Sequence, residues 1–98
     1  MKPLRFVWDE SKNTINQRKH GVSFEEGRSV FADEHALLIH DPGHSEEEDR
    51  FLLLGIGSSA RMLVVCHCYR EGTDIIRIIS VWKATKLESA QYVQRRRS

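Results

Sequence analysis

The sequence predicts an α+β fold, with one twisted antiparallel sheet, two helices before it and one after. Three observations carry this. Residues 10–33 hold two capped segments of helical spacing, residues 50–82 hold three apolar runs parted by short polar turns, and residues 85–97 return to helical spacing. With 98 residues, 40% of them hydrophobic, the chain is expected to form a single domain over 1–98, because so short a chain cannot divide into two stable cores.

Phe6, Val7 and Trp8 suit a short opening strand. Asp9 can cap a helix over 10–20, since its carboxylate accepts the free amide hydrogens of a first turn, and His20-Gly21 provides the stop. Ile15 is the one clear apolar anchor of that helix, which therefore has little to bury; Lys12, Asn16 and Lys19 share a face. Ser23 followed by Glu26 matches a capping box for a second helix, which Phe24, Val30 and Phe31 anchor and which ends near Ala32 or Asp33. A strand over 36–40 closes at the Asp41-Pro42-Gly43 turn, and the acidic run 46–49 reads as a solvated loop or strand entrance. The runs 51–56, 62–69 and 75–81 then form an antiparallel meander. Thr85 and Glu88 make a further capping box, opening a helix with Leu87, Ala90 and Val93 whose terminal arginines suit its negative end.

A net charge of +1 excludes a uniformly basic or acidic protein, but the charges are segregated. Residues 1–20 hold five basic and two acidic side chains, 21–49 hold one and nine, and 50–98 hold nine and three. If the fold brings the two basic flanks together, they form a cationic face for a polyanion, with the acidic middle kept away. No signal peptide and no membrane-spanning run is present, so the chain is expected in the cytoplasm. Cys66 and Cys68, two apart in an apolar run, read as reduced packing residues. His35, His40 and His44 lie in or beside turns without zinc-site spacing, and neither a phosphate-binding glycine loop nor a Ser-His-Asp arrangement is evident.

Helices gathered on one side leave the other sheet face open, and strand parity decides what lines it. Leu63, Val65, His67 and Tyr69 share one face of their strand; Met62, Val64, Cys66 and Cys68 share the other, more apolar one. A three-residue hairpin loop at 71–73 would set His67 opposite Arg77, whereas a two-residue loop would set it opposite Ile78. In the first register an imidazole and a guanidinium stand side by side with Tyr69 nearby. Such a group suits metal-independent RNA cleavage, because histidine exchanges protons near neutral pH and arginine holds phosphate oxygens in a fork. The bland reading is a satisfied histidine and an arginine paired with a carboxylate.

FVWDESKNTINQRKHGVSFEEGRSVF at 6–31, DPGHSEEEDRF at 41–51 and IIRIISVWKATKLE at 75–88 resemble the BrnT family of toxins from bacterial type II toxin-antitoxin systems. The resemblance spans nearly the whole chain. It implies a RelE-like fold, a ribonuclease that needs no metal or other cofactor and blocks translation, and a BrnA antitoxin with a ribbon-helix-helix DNA-binding part. Two toxins would be joined through an antitoxin dimer, with DNA reached only through the antitoxin. The matching polar positions are Lys19, His20, Arg50, Arg77, Ser80 and Lys83. Together with the open-face reading, this gives Arg77 and Arg50 on the scissile phosphate, His67 exchanging a proton, Lys83 and Lys19 on neighbouring phosphates, and His20, Tyr69 and Ser80 along the RNA. One position departs. Where the family pattern reads Ser-Ala-Arg-Lys-Ala, this chain has Ser80-Val81-Trp82-Lys83-Ala84, so a forked donor is replaced by a ring that can stack on a base, pack in the core or meet the antitoxin. The alternative reading is therefore a binding and co-repressor module without useful nuclease activity.

Overall fold

The computed structural model describes residues 3–41, 49–70 and 72–97. The expected turn residues Pro42 and Gly43, His44, the acidic residues 46–48 and Glu71 lie outside the described residues.

The elements run β1 (Arg5–Val7), α1 (Glu10–His20), α2 (Phe24–Ser29) continued by a 3-10 turn (Val30–Ala32), β2 (Leu37–Asp41), β3 (Arg50–Ile56), β4 (Met62–Tyr69), β5 (Ile75–Lys83) and α3 (Lys86–Arg97). Their sheet order is β1-β5-β4-β3-β2. Strands β2 to β5 form the expected antiparallel meander; β1 adds a parallel edge strand, Arg5 to Val7 beside Ile75 to Arg77, so the sheet as a whole is mixed.

Local chemistry accounts for the helix ends. Asp9 accepts from the amides of Ser11 and Lys12, and Gly21, at φ 70°, adopts the left-handed conformation that returns its N–H to Gln17 O. At α3 the capping box is reciprocal: Thr85 N donates to Glu88 Oε1 at 2.8 Å and Glu88 N to Thr85 Oγ1 at 3.1 Å. At α2 only half of it forms. Ser23 Oγ accepts from Glu26 N, but the Glu26 carboxylate turns to Arg61, 2.6 Å away.

Two layers cover the sheet. Helices α1 and α2 lie over one face, where Val22, Phe24, Val30, Leu53, Leu63, Val65, Ile78 and Val81 form the main core. Helix α2 comes so close that a methyl group on Gly27 would sit 2.5 Å from Val81 Cγ2. On the other face α3 packs through Tyr92 against Leu54, Val64 and Trp82. The Tyr92 hydroxyl donates to Asp33 Oδ2 at 2.8 Å, tying α3 to the end of the 3-10 turn. Burial presses the Asp33 carboxyl upward, but bonds from Ile56 N, His35 N and Tyr92 outweigh it and hold the pKa below its ordinary value.

Helix α1 departs from expectation. Ile15 is 60% exposed, and the helix attaches instead through two buried amides, Asn13 and Asn16. Asn13 Oδ1 accepts from Phe24 N and its Nδ2 donates to Glu25, fixing the start of α2. Asn16, expected on an exposed face with Lys12 and Lys19, points into the protein. Among the described residues no helix is long and apolar enough to cross a membrane.

Candidate functional site

The register of β4 and β5 decides which polar residues meet. Over Tyr69↔Ile76, Cys68↔Arg77 and His67↔Ile78 it is that of the shorter-loop alternative, so His67 is opposite Ile78 and not Arg77. Between Cys66 and His67 the register shifts by one residue, and Cys66 faces Ser80. Ile79 is the extra residue, a bulge in β5. Strict alternation groups Arg77 with Ile79 and Val81. The bulge instead puts Arg77 with Ser80 and Trp82 on the α3 face, and Ile78 with Val81 in the core.

His67 consequently belongs to the covered face. It is 0% exposed, its ring meets Phe31 edge-on at 4.9 Å, and both nitrogens are engaged. Nδ1–H donates to Val65 O at 2.9 Å and Nε2 accepts from Tyr69 Oη at 3.2 Å. Burial lowers its pKa below the ordinary value, only partly offset by the Val65 hydrogen bond, so the ring is neutral near pH 7. An RNA phosphate has no approach to such a group. The open-face placement of His67 is thus corrected, because α2 and its 3-10 turn settle on the His67 side of β4. Tyr69, at the rim of that same side, spends its hydroxyl proton on His67.

The face that carries Cys66 and Cys68 holds the arginines. Asp41 pairs with Arg50 and Cys68 with Arg77, and the β3–β4 register, carried one step past Phe51↔His67, sets Arg50 level with Cys68, so the four lie in one row across β2, β3, β4 and β5. Phe51↔His67 and Cys68↔Arg77 fix the middle of it. The next row is Ile39, Leu52, Cys66 and Ser80, and the one beyond it, Leu37, Leu54, Val64 and Trp82, lies under α3. Arg50 and Arg77 are thus two strands apart, about 10 Å between backbones. Arg77 is exposed and Arg50 partly buried. The two thiols between them are free and buried, as expected of packing residues. Burial raises the pKa of Cys66; the charge of Arg50 opposes that shift and Asp41 adds to it, so these groups share one electrostatic environment.

The other candidates lie elsewhere. Lys83 pairs with Leu63, on the α2 side, six residues along β5 from Arg77 or roughly 20 Å. Its ammonium approaches Gly21, directly after Lys19 and His20, where Arg61 also donates to Gly21 O at 3.3 Å. Glu26 is held below its ordinary pKa by Arg61, with a smaller effect from Lys83. The single cationic face expected from the sequence is therefore two groups on opposite sides. Nor does the acidic middle stay away, since Asp41 stands opposite Arg50 and Glu26 beside Lys83. Ser80 Oγ donates to Asn16 Oδ1 at 3.3 Å, which commits its proton inside the protein. Trp82 packs with Tyr92, Leu54 and Val64, so its ring supports α3.

Asp41 and Asn16 escaped the sequence reading. Asp41 was legible only as a turn residue; Asn13 and Asn16, three apart on a helix poor in apolar anchors, were the available sign of a polar interface. Among the described residues no group of three or more His, Cys, Asp or Glu side chains could hold a metal ion.

Residues 8–88 match a family model described as the ribonuclease toxin BrnT of type II toxin-antitoxin systems. The crystal structure of the Brucella abortus ribonuclease toxin BrnT is similar in fold, with a TM-score of 0.63 at 21% identity, covering 86% of this chain and 100% of that one. No curated protein matches.

Proposed function

The chain belongs to the BrnT family of ribonuclease toxins of type II toxin-antitoxin systems, and we propose that it cleaves RNA on the sheet face that bears Arg50 and Arg77. The observation that carries this reading is the shared row of these two arginines on the face away from α1 and α2. Two guanidinium groups on either side of β4 hold a phosphate by charge-assisted hydrogen bonds and stabilise the negative charge that gathers on it in the transition state. The 2′-oxygen attacks phosphorus as its proton leaves, the bond to the 5′-oxygen breaks, and that oxygen takes up a proton from water; a cyclic phosphate and a 5′-hydroxyl result. Asp41, opposite Arg50, is an ionisable acceptor on the same face and accepts the first proton. His67 keeps its packing role.

A toxin of this type has an antitoxin partner. The reading extends to a BrnA-like ribbon-helix-helix protein, to two toxins joined by an antitoxin dimer, and to arrest of translation in the cytoplasm through RNA cleavage. The test is incubation of the purified chain with RNA in EDTA. Cleavage by wild type and its loss in a folded Arg77→Ala variant support the reading. Intact RNA with wild type leaves a binding-only module, and full cleavage by Arg77→Ala removes the arginine mechanism.

A further inference from the structure

Arg77 reaches the row of Arg50 only because β5 is bulged. If the pairing at Cys66↔Ser80 continued without interruption, Arg77 would stand opposite Tyr69 on the covered face, and Ile78 would leave the core to face Cys68. The bulge leaves a residue without a cross-strand partner, so something must hold the strand on each side of it. Below it, β1 pairs with β5 as far as Val7↔Arg77. Above it β1 has ended, and among the described residues no strand pairs with the outer edge of β5.

Asn16 occupies that edge. Its Nδ2 donates to Val81 O at 2.8 Å and to Val22 O at 2.9 Å, while Oδ1 accepts from Val81 N at 3.1 Å and from Ser80 Oγ at 3.3 Å. A side-chain amide offers two donors and two acceptor sites, and all four are used at 6% exposure. Towards Val81 the amide acts as a neighbouring strand would, satisfying the N–H and C=O of one residue together. A carboxylate lacks the donors, an aliphatic side chain lacks both, and a hydroxyl, with a single donor, cannot make all four bonds.

We propose that Asn16 is a positioning residue for RNA cleavage, holding the upper register of β5 so that the bulge falls at Ile79 and Arg77 is delivered to the face of Arg50. The inference rests on the reading of that face as the cleavage site. Asn13 supplies the control. It is a buried amide on the same helix, 2% exposed, whose side chain bonds to the start of α2 and to Gln17.

The experiment compares wild type, Asn16→Ala, Asn13→Ala and Arg77→Ala, each at a temperature where circular dichroism shows it folded, by kcat and KM for cleavage of one RNA and by hydrogen exchange at the Val81 amide. Asn16→Ala should lower kcat at least tenfold with a smaller change in KM and speed exchange at Val81, whereas Asn13→Ala should keep kcat. Should Asn16→Ala not fold, Asn16→Asp, which retains the acceptor and loses both donors, carries the same expectation. Unchanged kcat in a folded Asn16 variant, with Arg77→Ala inactive, overturns the positioning role alone. An active Arg77→Ala instead overturns the reading of the face on which it rests.

Discussion

Asp41 lies directly across from Arg50 where β2 meets β3, so the acidic segment of the chain enters the same row of the sheet as the basic one. That pairing gives the arginine face a carboxylate beside its cations, and it makes the long-range separation of charge along the sequence a poor guide to the surface. The row also divides the basic residues into Arg50 and Arg77 on this side and those gathered around Gly21 on the other.

The division makes a prediction for Lys83. Because it sits roughly 20 Å along the strand from Arg77 and on the opposite side, Lys83→Ala should change kcat for RNA cleavage by no more than about threefold. Steady-state kinetics at fixed salt would check this. A loss comparable to that of Arg77→Ala would require RNA to reach both sides.

His67 should govern acid sensitivity and not proton transfer. Its folded pKa lies below the ordinary 6.5, so as pH falls through that value the unfolded chain takes up a proton that the folded chain refuses. Stability should therefore drop from about pH 7 towards pH 5. The groups packed on the ring are Phe31, Phe51 and Tyr69, none of which is charged at these pH values. His67→Gln should flatten the dependence of Tm on pH over this range while a folded variant continues to cleave RNA. An equally steep dependence in the variant would assign it to other groups.

Gly27→Ala should be costly although it is a small change in a helix. The added methyl would meet a branched side chain that is itself fully buried, Val81, so the core cannot yield without moving β5. A loss of about 1–3 kcal/mol is expected from such overpacking, read as a lower midpoint in denaturant. A neutral result would mean that α2 can lift from the sheet at little cost.

Tyr92→Phe removes one of the bonds that keep Asp33 ionised and leaves the ring in place. Stability at neutral pH should fall by about 1 kcal/mol. Because the Asp33 pKa is depressed, its contribution is present above the unfolded value of 3.8 and is lost as pH falls through the folded one. The difference between variant and wild type should accordingly narrow in strong acid, as measured by Tm below pH 4.

Much of the fold was legible because its signals are local. Asp9, Ser23, Thr85 and Gly21 mark helix ends by chemistry confined to four or five residues, and the apolar runs of β3 to β5 mark the meander. The site was less legible. Residues 63–68 of β4 are buried on both sides, so alternation told which residues share a face but not which face α2 would cover. The bulge at Ile79 then exchanged the partners of Arg77 and Val81. Its support comes from Asn16, more than sixty residues away, and no window along β5 contains it. Parallel pairing of β1 to β5 is likewise a long-range choice.

Single-turnover cleavage by wild type, Arg50→Ala, Arg77→Ala and the double variant tests the central claim most directly. If the two arginines act on one phosphate, each single variant should lose about 100-fold and the double variant far less than the product of the two losses. Full activity in either folded single variant, or strictly multiplicative losses in the double one, would contradict a shared site.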